Sequence, residues 1–87
     1  MNFFHAVNAS GCDTFLRVAD VVSILHNNAK DHVLVGMRNG EQYGFNGDII
    51  RSEYNKAFPS RATSMKGKNP AVQLFEILSM LDKFVKP

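Results

Sequence analysis

The side chains in this 87-residue chain suited to covalent or metal chemistry are one cysteine, three histidines and eight carboxylates. Nucleophilic catalysis needs a base beside the nucleophile and an acid to orient that base. Cys12 has His5, His26 and His32 as candidate bases, and no spacing sets any of them at the thiol. A place in the turn Asn8-Ala-Ser-Gly-Cys-Asp13, or burial as a small hydrophobe, explains Cys12 more simply. His26 and His32 are six residues apart across a turn, with Asp31 beside the second. Two histidines at a loop edge fall short of the clustered ligand set that zinc takes. Asp48 reads as a helix cap and Glu53 as part of a solvated helix face, not as an acid–base pair. Gly36, Gly40, Gly44 and Gly47 recur every three or four residues, but in strands and turns. A phosphate-binding loop would instead join a strand to a long helix. The reading is no catalytic residue, no metal ligand and no cofactor: not an enzyme.

Two stretches suit contact better than catalysis. Arg51, Lys56, Arg61, Lys66 and Lys68 crowd one segment, opposed only by Glu53. Ser60, Thr63 and Ser64 lie among them and could donate to phosphate. This is the candidate nucleic-acid surface. Tyr54 and Phe58 suit the core better than stacking on bases. The second stretch is the C-terminal helix, where Leu74, Leu78, Leu81 and Val85 recur at helical spacing. Phe75, Ile77 and Phe84 make that stripe wider than a surface helix needs. Its outer edge, Ile77, Leu81 and Phe84, is the candidate contact with a protein partner or a second copy.

The elements that position these residues begin at His32–Asn46. Two apolar-rich runs flank Asn39-Gly40, a strong hairpin signal. A two-residue turn would pair Arg38 with Glu41, Gly36 with Tyr43 and Leu34 with Phe45. Leu34, Tyr43 and Phe45 then form the core face. A bulge at the turn would slip the register by one and exchange the faces. Upstream, residues 2–7, 14–18 and 21–26 read as strands, although Phe15, Val18, Val22 and Leu25 also fit one helix over 13–25. Downstream the period changes. Asn46-Gly47-Asp48 supplies a break and a cap, and Ile50, Tyr54, Ala57 and Phe58 follow a helical period to Pro59. Asn69 caps the last helix, with Pro70 at its first position.

The pattern is a single α+β domain. Residues 1–46 form a small, mostly antiparallel sheet of four or five strands. A short helix over 47–58, a basic loop over 59–68 and a longer helix over 69–86 follow. The net charge of +2 is too mild to indicate nucleic acid by itself. Its layout is uneven: residues 1–50 hold three basic and five acidic side chains, residues 51–87 seven and three. A lone cysteine allows no internal disulfide, which favours a reducing, cytoplasmic compartment. No signal peptide is apparent, and no run approaches the ~18 apolar residues of a membrane span.

The run Thr14-Phe-Leu-Arg-Val-Ala-Asp-Val-Val-Ser-Ile24, the hairpin Val33–Phe45 with its Arg-Asn-Gly-Glu turn and the short helix after it resemble two kinds of small protein. One is the FlbD-type flagellar accessory family with related phage open reading frames. The other, more distant, is the β-rich LytTR DNA-binding domain. The resemblance covers residues 14–58. It departs from the family at Val-Ala-Asp, which lacks a proline, and at the helix over 70–85. LytTR domains end in a basic, histidine-containing segment that has no counterpart here. The resemblance implies a small non-catalytic regulator and transfers no functional residue. The function read from the sequence is a protein-binding module, an accessory or phage-type regulator. The alternative is a nucleic-acid-binding regulator using residues 51–68.

Overall fold

The structure, a computed structural model, describes residues 2–61 and 69–83, with the side chains of Arg61 and Lys83 left out. Five strands lead into two helices, as an α+β fold requires. The strands are β1 (Phe3–Val7), β2 (Asp13–Arg17), β3 (Val21–Asn27), β4 (His32–Met37) and β5 (Gln42–Asn46). The helices are α1 (Gly47–Ala57) and α2 (Pro70–Lys83). Single 3₁₀ turns fill Val18–Asp20 and Pro59–Arg61. All pairing is antiparallel. The strands divide between two sheets, β1-β2 and β3-β4-β5. The backbone stitches the sheets together where Ala9 N–H donates to the Gly44 carbonyl (2.8 Å).

Residues 13–27 are two strands and not one helix. Thr14 and Leu16 point inward while Asp13, Phe15 and Arg17 point out, which is a period of two. Ala19-Asp20 becomes the 3₁₀ turn that lets the chain change sheets.

The central hairpin differs from the two-residue turn in a definite way. Gly36 pairs with Gln42, Val35 with Tyr43 and Val33 with Phe45. The turn is Met37–Gly40, closed by Gly40 N–H to the Met37 carbonyl (2.9 Å), and Met37 N–H reaches the Glu41 carbonyl (2.8 Å). Gly40 alone takes the left-handed conformation (φ +91°), so Asn39 is not in a type I′ turn. Asn39 instead accepts from Glu41 N–H through Oδ1 (3.0 Å). A three-residue loop with a bulged glycine therefore slips the register by one. On β4 the faces exchange, Val33 and Val35 being buried and Leu34 lying on the outer face, while on β5 Phe45 is buried and Tyr43 packs against the core as expected. Arg38 and Glu41 do not pair. Arg38 turns to the Ala19 carbonyl and Asp20, and Glu41 accepts from the Tyr43 hydroxyl (2.7 Å).

One core lies between the sheets and the helices. Phe4, Ala6 and Leu16 come from the first sheet, and Val33, Val35 and Phe45 from the second. Ile50 and Tyr54 come from α1; Leu74, Ile77 and Leu78 come from α2. Phe4 meets Phe45 edge-on at 5.9 Å between ring centres. Tyr54 is fully buried and donates its hydroxyl to Glu76 Oε1 (2.9 Å), which ties α1 to one side of α2.

The helix ends follow the sequence unevenly. Asn69 Oδ1 accepts from Ala71 N–H (2.8 Å), as a cap before Pro70 should. Asn46 makes no side-chain cap bond, and Gly47 N–H instead donates to the Asp31 carbonyl (2.7 Å). Helix α1 stops at Ala57, because the residue before a proline is disfavoured in helical conformation.

Leu74 is fully buried where α2 meets the rest of the core. Leu74→Ala should lower stability by about 2–5 kcal/mol in urea unfolding. Leu25→Ala, on the exposed outer face of β3, should stay within about 0.5 kcal/mol. Equal losses would contradict this core.

Candidate functional site

The basic segment does not present itself as a free cationic surface where it is described. Arg51 is held by a two-pronged bond to Asp31, Nη1 to Oδ2 (2.8 Å) and Nη2 to Oδ1 (3.0 Å). Its Nη1 also reaches Asp48 Oδ1 (3.1 Å). Lys56 Nζ sits 3.4 Å from Glu53 Oε2. Lys66 and Lys68, with Thr63 and Ser64, lie outside the described residues, as does the Arg61 side chain. The Arg51 guanidinium thus closes the fold, joining α1 to the β3–β4 turn.

Asp31 is the other half of that closure. It sits at φ +52°, among the described residues the one non-glycine with positive φ. Aspartate tolerates that region better than most side chains. Its Oδ1 also lies 2.9 Å from His26 Nε2. The Arg51 hydrogen bonds, then the His26 one, hold its carboxyl down at about 2. The same contact pushes Arg51 above its ordinary value. A Cβ at Gly47 would lie 2.5 Å from both carboxylate oxygens, so the close approach of α1 to this turn needs glycine there.

The remaining candidates for chemistry are scattered. His5 stacks on Phe15 at 4.3 Å and lies 3.3 Å from Asp13. Cys12 is exposed in a turn whose backbone is held by Asn8 Oδ1, accepting from Ser10 and Cys12 N–H. Among the described residues, no three His, Cys, Asp or Glu side chains converge on a point that could hold a metal.

The feature that stands out is apolar. A groove of about 720 Å³ runs between β3 and α2. Val21, Val22, Ser23 and Ile24 form one wall, and Val72 and Phe75 stand on the other. Val22 and Phe75 are each 62% exposed, high for side chains of their size and kind. Four successive residues of β3 line the groove. A strand alternates its side chains between faces, so four in a row mark a break in that alternation beside the strand's free edge. That edge is the outer one of the sheet, since β4 occupies the other side. The ladder shifts between Val21 and Ser23, which leaves Val22 as the extra residue of a bulge turned to the groove.

The groove also accounts for the edges of α2. Ile77, expected at the outer edge, is 4% exposed and belongs to the core. The Tyr54–Glu76 bond brings α1 onto that side of α2 and covers it. Leu81 is partly buried against the core, and Phe84 lies outside the described residues. The uncovered edge is instead the one carrying Val72 and Phe75. The helical period placed Phe75 in the stripe, but β3 stops short of covering it. Val22 had no separate signal, because the bulge that exposes it is invisible to alternation. A second exposed apolar face, Phe3, Phe15 and Val7 on the outside of β1-β2, likewise escaped the sequence reading. The alternation of these residues with Phe4, Ala6 and Leu16 could have revealed it.

Comparison with protein-family models, with curated proteins and with solved structures finds no match to this chain. Among the described residues, no helix is long and apolar enough to cross a membrane.

The Asp31 carboxylate gives a pH signature. A carboxyl held near 2 in the fold, against 3.8 ordinarily, contributes stability in full above the ordinary range. The contribution falls away as pH drops through the folded value. Asp31→Asn keeps the tolerance for positive φ and removes the charge. The wild type should exceed this variant in urea midpoint by a constant margin above about pH 5, and the margin should shrink towards about pH 2. A margin unchanged at low pH would show that the charge does not matter.

Proposed function

We propose that this chain is a non-catalytic protein-binding module, a small accessory or regulatory protein that acts by contact. The observation that carries the reading is the groove between β3 and α2, with Val22 and Phe75 both standing largely in solvent. Burying two such side chains is worth roughly 1.5–3 kcal/mol each, enough to anchor a partner. The groove's occupant is a segment of another protein, apolar where it faces Phe75. The likeness of residues 14–58 to FlbD-type accessory proteins points the same way.

The nucleic-acid alternative draws less support. Arg51 and Lys56 are the described members of the basic segment, and both already face carboxylates. Phosphate would have to compete with Asp31 for Arg51, and that exchange would loosen the fold.

The test compares wild type with Phe75→Asp and Val22→Asp, after circular dichroism has shown each variant folded. Tagged proteins are incubated with native lysate, nuclease-treated, at low and high salt. A protein retained by wild type at high salt and lost from both variants is the expected result. Retention that is equal in all three, or that vanishes with nuclease, would overturn the reading. Contact through phosphates would weaken steeply with salt.

A further inference from the structure

We propose that Asn39-Gly40, at the tip of the central hairpin, is a site of spontaneous covalent modification: the Gly40 peptide nitrogen closes on the Asn39 side chain, and water opens the ring to aspartate and isoaspartate. This chemistry is independent of what the groove binds.

Asparagine before glycine offers the least obstruction to such a ring closure, because no Cβ stands beside the attacking nitrogen. The chain holds two of these pairs, Asn39-Gly40 and Asn46-Gly47. The fold treats them differently.

Asn39 and Gly40 are both exposed. Gly40 N–H donates to the Met37 carbonyl (2.9 Å), at a loop tip where water can take over that bond when the peptide turns. A Cβ built at Gly40 would meet nothing within 4 Å, so the space for turning is open. Asn39 Oδ1 accepts from Glu41 N–H (3.0 Å), which folds the side chain back over the following peptide. The same donor faces the oxygen that gathers negative charge as Cγ becomes tetrahedral.

Gly47 is buried, and its N–H donates to the Asp31 carbonyl (2.7 Å). Turning that peptide would pull the start of α1 off the Asp31–Arg51 closure, where a Cβ at Gly47 would lie 2.5 Å from both Asp31 carboxylate oxygens. Asn46 makes no side-chain bond to the helix that it starts.

The reaction at the tip needs only water. Gly40 nitrogen gives up its proton to hydroxide and forms a bond to Asn39 Cγ. The Cγ–Nδ2 bond breaks, and the nitrogen leaves as ammonia with a proton from water. Hydroxide then adds to one of the two ring carbonyls. Opening at Cγ gives aspartate. Opening at the main-chain carbonyl carbon gives isoaspartate, whose backbone runs through Cβ and Cγ. In sum, an amide and water become a carboxylate and an ammonium ion. Either product adds a negative charge beside Glu41, and isoaspartate also lengthens the loop that sets the register of β4 and β5.

The experiment holds the full chain in warm, neutral buffer for weeks, in parallel with the same chain unfolded in guanidinium chloride. Trypsin releases Asn39–Arg51, a peptide that carries both asparagines, so each sample contains its own control. Electron-transfer fragmentation then assigns the converted residue and separates aspartate from isoaspartate. In the folded chain, Asn39 should convert about tenfold or more faster than Asn46, because opening an exposed tip costs less than opening a buried helix start. In denaturant the two rates should converge. Asn46 keeping pace with Asn39 in the folded chain would overturn the proposal. So would an Asn39 that stays intact in the fold while it converts in denaturant. A difference that persists in denaturant would assign the selectivity to neighbouring residues and overturn the role of the fold.

Discussion

The paired bonds between Arg51 and Asp31 hold the molecule closed. Asp31 ends the turn between β3 and β4, and Arg51 lies one turn into α1, twenty residues later. Between them they fix how the first helix meets the second sheet. The backbone repeats the connection, since the Asp31 carbonyl receives the first N–H of α1. With α1 placed, Tyr54 is buried and reaches Glu76, which orients α2. With α2 placed, Ile77 turns inward and Phe75 is left facing the edge of β3. The groove is thus the last consequence of a contact made on another part of the molecule.

The sequence revealed the element list far better than the relations between elements. The capped start of α2 and the change of period after Phe45 were legible because each depends on neighbours along the chain, whereas residues 13–25 fitted two strands and one helix alike. The inward face of β4 was not, because a bulged glycine and a two-residue turn both satisfy Asn39-Gly40. The choice was made by burial of Val33, Val35 and Phe45 on one face. The role of Arg51 was hidden for a related reason. In the sequence it stands among cations, and only the fold sets Asp31 beside it. Ile77 and Phe75 have almost the same local pattern, and which of them is covered depends on where α1 lands.

Charge and apolarity are divided between opposite duties here. The strongest electrostatic contacts are spent inside the molecule, on Asp31, Arg51 and His26. Among the described residues, large apolar side chains stand exposed along β3 and α2 and on the outside of β1-β2. Where they are described, the cations clustered in the sequence face carboxylates of the same chain, and Val22 and Phe75 are left standing in solvent.

The strand order has a kinetic side. Every ladder joins strands that are neighbours in sequence: β1 with β2, β3 with β4, and β4 with β5. Each closes a loop of only a few residues, and short loops cost little chain entropy to form. Both sheets can therefore zip independently and early. The contacts that tie α2 to residues near the start of the chain span most of its length, and they close late. Before α2 docks, the open side of β3 is a bare strand in a growing chain. Until that docking, Val21 and Ile24 have only the sheet for cover.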